Sequence, residues 1–197
     1  MTLLLLFALA ASPEAAVAGR RGDGASLDAA ARMEKKLDRI LQNSSATVGR
    51  RGRPVVLTQE EIDSYFALSM GTRIPKGVSG ISFELHPGKQ TAFGVVDFDQ
   101  YKAAAKRPVH PILDLFLRGQ RSVTAVASFE CPSVGTGIYH LESVSLDDFT
   151  VRGVLLDFLL RWFVLPRYPK AAPDRPFPLP ANIQKAVVEK GRIVVYP

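Results

Sequence analysis

The chain has 197 residues, 47% of them hydrophobic and 22% charged, which are ordinary globular values and exclude a wholly disordered chain. Its formal net charge of +6 gives a basic surface that attracts nucleic acid, anionic lipid headgroups or acidic polymers. With one cysteine, Cys131, an intramolecular disulfide is excluded.

At the N-terminus, the apolar run of residues 3–11 is too short to span a bilayer. Pro13 and the small-x-small pattern Ala16-Val17-Ala18 follow it and precede Gly19. That is the order of a secretory signal peptide, although no Lys or Arg precedes Leu3. A signal peptide over residues 1–18 is expected, with a short buried helix as the competing reading, and the mature protein is expected to be periplasmic or secreted. Cleavage would leave 197 − 18 = 179 residues, one domain's worth, and would remove Glu14, taking the net charge from +6 to +7. In an exported protein nucleic acid is not an expected partner, whereas an anionic membrane surface is.

Residues 19–54 read as a flexible Gly/Arg-rich start, a helix over 26–42 with Ser26 as N-cap, and a basic linker carrying Arg50-Arg51-Gly52-Arg53. A second helix follows in Leu57-Thr58-Gln59-Glu60-Glu61-Ile62-Asp63-Ser64-Tyr65-Phe66-Ala67-Leu68. Thr58 and Glu61 have capping-box spacing, and Leu57 with Ile62 forms a hydrophobic staple. Gly71 and Pro75 end that helix.

The pattern then changes to period two. Residues 78–85 and 91–98 alternate on either side of the turn His86-Pro87-Gly88-Lys89, a β-hairpin. A connecting region over 99–119 holds a short helical piece around 112–117. Two longer strands are expected over 121–129 and 137–146, with Val123, Ala125, Ala127 and Phe129 on the buried face. Asp148 or Thr150 then opens a greasy helix over 151–165, whose charges are Arg152, Asp157 and Arg161, the last two spaced to pair. A Pro-rich stretch over 166–180 crosses the surface, and residues 183–189 and 192–196 close the chain as a hairpin around Lys190-Gly191.

Chemistry-bearing patterns are scarce. His86, His110 and His140 lack the close second ligand typical of a metal site, and no metal or other cofactor is expected. Asp97/Asp99 and Asp147-Asp148 read as solvated or capping carboxylates at strand ends. There is no nucleophile elbow, phosphate loop or dinucleotide fingerprint, so an enzyme is not expected. Cys131 reads as a half-buried small hydrophobe.

The order Leu57-Thr58-Gln59-Glu60-Glu61-Ile62-Asp63-Ser64-Tyr65, then Pro75-Lys76-Gly77-Val78, then a hairpin ending Gly94-Val95-Val96-Asp97 resembles bacterial envelope proteins of the tubular lipid-binding type. The resemblance spans residue 55 to the C-terminus, its motifs are loose, and half-barrel periplasmic lipoprotein carriers are a near alternative. It implies an α+β domain over 55–197, a curved antiparallel sheet wrapped around one or two apolar helices, and binding or transfer of a lipid or other hydrophobic molecule without covalent chemistry. A greasy pocket needs apolar lining, and Phe66, Phe83, Phe93, Phe129, Leu155, Phe158, Leu159 and Trp162 are the candidates, each of which could equally fill a dry core. Arg161, Phe163 and Arg167 would meet a membrane surface. The alternative is an envelope assembly module that binds a protein partner through the Pro-rich segment or a sheet edge.

Overall fold

The computed structural model describes residues 24–43, 53–105, 117–153, 156–157, 160–161, 165, 172–179 and 183–196. The expected signal peptide, residues 44–52 of the basic linker, His110 and the helical piece at 112–116 lie outside the described residues. The rest is an α+β fold with antiparallel sheets.

Helix α1 (Leu27–Asn43) begins where Ser26 Oγ accepts the Ala29 N–H at 3.3 Å, and it buries Ala29, Ala30, Met33 and Ile40. Strand β1 (Val55–Thr58) runs directly into helix α2 (Gln59–Leu68). At the junction Thr58 Oγ1 accepts the Glu61 N–H at 3.3 Å and Glu61 Oε2 accepts the Thr58 N–H at 2.9 Å, the reciprocal capping box read from the sequence. Leu57 and Ile62, each 2% exposed, are both buried as the staple requires.

Strands β2 (Val78–His86) and β3 (Lys89–Asp97) form the expected hairpin around Pro87-Gly88, with a bulge between Ser79 and Ser82 where Gly80 takes a φ of 62°. Just before β2, Gly77 has a φ of 87°, and a Cβ there would stand 2.6 Å from Asp97 O and 2.9 Å from Tyr101 N. Only glycine lets the chain pass this close to helix α3 (Phe98–Ala105). That helix takes Phe98, expected at the end of the strand, and the start of the stretch expected to be a connecting region. Asp97 Oδ1 accepts the Gln100 N–H at 2.9 Å in its first turn, so Asp97 caps as expected.

Strands β4 (Gln120–Ser133) and β5 (Thr136–Leu146) run longer than expected, and β6 (Phe149–Val151) pairs back onto β5. Here the expected helix start is corrected. Thr150 and Val151 are strand residues and Asp148 lies in a turn. Asp147 takes a φ of 51° and accepts from the Ser122 N–H at 2.8 Å, which folds the β-prone run Phe149-Thr150-Val151 into a hairpin before any helix begins. Helical backbone appears further on at residues 156–157. A wide turn at 160–161 follows, in which the Leu165 N–H reaches Leu160 O at 2.8 Å.

The Pro-rich segment is also corrected. Instead of only crossing the surface, residues 172–179 contribute β7 (Phe177–Pro178), paired with β5, and bury Phe177 and Leu179. Strands β8 (Lys185–Glu189) and β9 (Arg192–Tyr196) form the expected final hairpin.

The strands divide into two sheets. One has the order β2-β3-β4-β5-β6 with β7 beside β5, and the other has the order β1-β9-β8. Turn glycines tie them together. Gly88 N–H donates to Val188 O at 2.9 Å, Gly191 N–H to Leu85 O at 2.9 Å and Gly135 N–H to Gln184 O at 3.0 Å.

Candidate functional site

The pairing register sorts the large sheet's side chains onto two faces. Phe83, Ala92, Ala125 and Val144 are successive partners, as are Leu85, Gln90 and Ala127, so all of them point the same way. This core face is floored by Ala92, Ala125 and Ala127, each with no exposed surface, and it receives α2. Phe66 meets Phe83 with ring centroids 4.9 Å apart and tilted by 59°. Phe129 lies on the same face, its ring 6.4 Å from that of Phe177.

A second apolar cluster covers the other end. Leu156 and Leu160 pack on Val144 and Val151, and the half-buried Leu141 touches both clusters. Of the expected lining residues, the structure therefore brings Phe66, Phe83 and Phe129 onto one face. Phe93 pairs with Ser82 and Thr124 and so points to the opposite face. The cause is simple: Phe93 is an odd step from Ala92, and strand side chains alternate. The second face is not a bare solvent surface, because Thr124 and Ser145 on it are each 5% exposed. Leu155, Phe158, Leu159, Trp162, Phe163 and Arg167 lie outside the described residues, while Arg161 is exposed and Asp157 likewise. Tyr139, Phe177, Leu179, Leu156 and Leu160 were not singled out in the sequence. The i, i+4 spacing of Leu156 and Leu160 was the available signal.

Helix α2 also closes the sheet's β2 edge. Asp63 Oδ1 accepts the Phe83 N–H at 2.8 Å, and Gln59 Oε1 accepts the Leu85 N–H at 3.2 Å. One helical turn apart, the two side chains match alternate outward N–H groups and blunt an edge that would otherwise be open to pairing. Burial pushes the Asp63 carboxyl up to about 7, Glu84 adds to the rise, and the Phe83 N–H opposes it.

Behind this edge, Glu61 is 3% exposed and takes Lys36 Nζ at 2.7 and 2.6 Å on its two oxygens, with Arg32 Nε at 3.4 Å. Burial alone would raise the Glu61 carboxyl. The hydrogen bonds and charge of Lys36 and the bonds from Thr58 outweigh it and hold the group below its ordinary value. The same ammonium donates to Val56 O at 2.7 Å, locking α1 to β1.

Several of the remaining candidates are engaged within the chain. Asp99 Oδ2 accepts the Gly119 N–H at 3.0 Å, and Asp147 binds Arg121 at 2.9 Å. Cys131 is half-buried, with its Sγ 3.3 Å from the Ala186 N–H. His86 lies at an exposed strand end, 3.9 Å from Glu84. Among the described residues no helix is long and apolar enough to cross a membrane, and no three His, Cys, Asp or Glu side chains group to hold a metal. Compared with family models, curated proteins and solved structures, the chain matches none.

Proposed function

We propose that this protein is an exported, non-catalytic envelope protein, periplasmic or secreted, that binds or transfers a lipid or other hydrophobic molecule, as the tubular lipid-binding resemblance implies. In this reading the large sheet curves around its apolar helices, and an acyl chain lies along the core face between them. The observation that supports it most is the layout of that face. Two helical clusters, one under Phe66 and one under Leu156 and Leu160, sit on a single sheet surface floored by Ala92, Ala125 and Ala127. The alanine floor is covered, so a long, flexible ligand would enter by parting the two clusters along this apolar strip. Asp97 and Asp99 accept backbone N–H groups and Asp147 pairs with Arg121.

The test is native mass spectrometry of the mature protein purified from an envelope fraction, followed by solvent extraction. A stoichiometric adduct that extracts as lipid is expected. A clean apo mass that persists after incubation with envelope lipids overturns the reading. It would move the weight to an assembly module that binds a protein partner through the Pro-rich segment or a sheet edge, such as β6 with its exposed Phe149.

A further inference from the structure

Outside the core face, one cluster joins parts of the chain distant in sequence. His140 of β5 has Nδ1 2.6 Å from Asp174 Oδ1 and Nε2 3.3 Å from Glu130 Oε1. The ring nitrogens point apart, so the two carboxylates meet opposite edges of the imidazole and do not converge with it on one cation. With an acceptor at each nitrogen, both bonds form only when both nitrogens carry a proton. A neutral ring donates to one carboxylate and turns a lone pair toward the other.

Asp174 belongs to the strap 172–179. Its φ is 59°, a left-handed conformation that Asp tolerates, and its N–H donates to Tyr139 O at 2.9 Å. Further along, Phe177 pairs with Gly137 and packs against Phe129 and Tyr139, with ring centroids 6.4 Å away in each case. The Leu179 N–H donates to Gly135 O at 2.8 Å. Phe177 and Leu179 are each 7% exposed and belong to the main core. The strap is thus a lid on the β4–β5 end of the core, and beside these backbone bonds the His140 side chain ties it to the sheet.

We propose that His140 is a proton-operated latch: the imidazolium ties the strap to β4 and β5, and loss of its proton loosens the strap over the core beneath Phe177 and Leu179. The charged groups around the ring are Glu130 on β4, Asp174 with its neighbour Arg175 in the strap, and the Lys89–Glu142 pair, closed at 2.6 Å, on nearby positions of β3 and β5. The Tyr139 phenol lies beyond the strand, pushed up by burial and by Asp174. The hydrogen bond to Asp174, then that to Glu130, hold His140 above its ordinary 6.5. A group with a raised value in the folded state contributes fully below 6.5, and its contribution is lost as pH rises through the folded value. The strap is therefore held more tightly at mildly acidic pH and loosened toward alkaline pH. This latch goes beyond the lipid reading and is measured separately from it.

Hydrogen exchange on the full chain reads it directly. Between about pH 5.5 and about pH 8.5, protection of the Asp174 and Leu179 amides, corrected for the intrinsic rate, is expected to fall about threefold or more, the scale of exposed ion pairs. The α2 amides, which follow Asp63, serve as reference. In His140→Gln the strap loses this extra pH dependence while the α2 amides keep theirs. Strap protection that tracks α2 in the unaltered protein, or a His140→Gln strap that keeps the full fall, overturns the latch. Where His140→Gln does not fold, Asp174→Asn with the His140 ring titrated by NMR decides. A midpoint that drops, with less protected strap amides, supports the latch, and an unmoved midpoint overturns it.

Discussion

Two of the ionic sites among the described residues follow opposite rules. At the α1–α2 junction Glu61 is 3% exposed, accepts Lys36 on both oxygens and also closes a helix cap. At the β5–strap junction His140 is 41% exposed and its partners Asp174 and Glu130 are 69% and 59% exposed. A buried charge stripped of its partner is stranded without water, so the first site is obligatory. An exposed one falls back on solvent, so the second is adjustable. Burial, more than the count of ion pairs, separates scaffold from switch.

Breaking the buried site gives the largest expected effect. Lys36→Met is expected to cost about 3 kcal/mol in chemical denaturation, because the Glu61 charge stays behind. Adding Glu61→Gln, which keeps the capping geometry without the charge, is expected to restore more than half of that loss. A double variant no more stable than the single would show that the lysine contributes through packing instead.

Asp63 sharpens the contrast, since it is a partly buried carboxyl with no cationic partner at its Phe83 contact. Its value is raised from 3.8 to about 7, so the folded state binds the proton more tightly. Its contribution to stability is therefore greatest below about 4, falls as pH rises toward about 7 and levels off above it. Asp63→Asn keeps an acceptor for Phe83 and removes the charge. It is expected to gain about 2 kcal/mol at pH 8.5 and to flatten that slope, as read from denaturation midpoints across pH.

The strap can be displaced sterically without touching His140. A Cβ at Gly137 would stand 2.9 Å from Leu179 Cδ2 and 3.0 Å from the Phe129 ring. Gly137→Ala is expected to cost about 1–2 kcal/mol and to lower protection of the Leu179 amide before that of α2. The smallest effect is expected from His140→Gln, at most about 1 kcal/mol and confined to acidic pH. A loss as large at pH 8.5 would mean that the ring acts by packing.

Much of this was legible locally. The capped helix at Thr58 and both hairpins, around Pro87-Gly88 and Lys190-Gly191, follow from spacing and turn chemistry within a dozen residues, and the structure agrees. The N-terminal helix was equally plain from its apolar spacing. Strand β1 was hidden because Val55-Val56-Leu57 reads as a helix lead-in until Arg192–Tyr196 arrives to pair with it. Strand β6 was hidden because its apolar residues blend into the greasy run behind it. The lining set was readable as apolar but not as a set, since Phe93 left it by a single step of strand parity. No local pattern marks His140, whose two partners are 10 and 34 residues away.

By itself, then, the sequence determined the α+β class, the caps, the turns and the alternation of each long strand, because those arise from interactions between near neighbours. Only the tertiary structure decided that the strands form two sheets, which face each side chain joins, and which charges are obligatory. These depend on long-range pairing and on burial. A carboxylate such as Asp63 or Asp174 carries no sign in its own chemistry of how much water the fold will leave it.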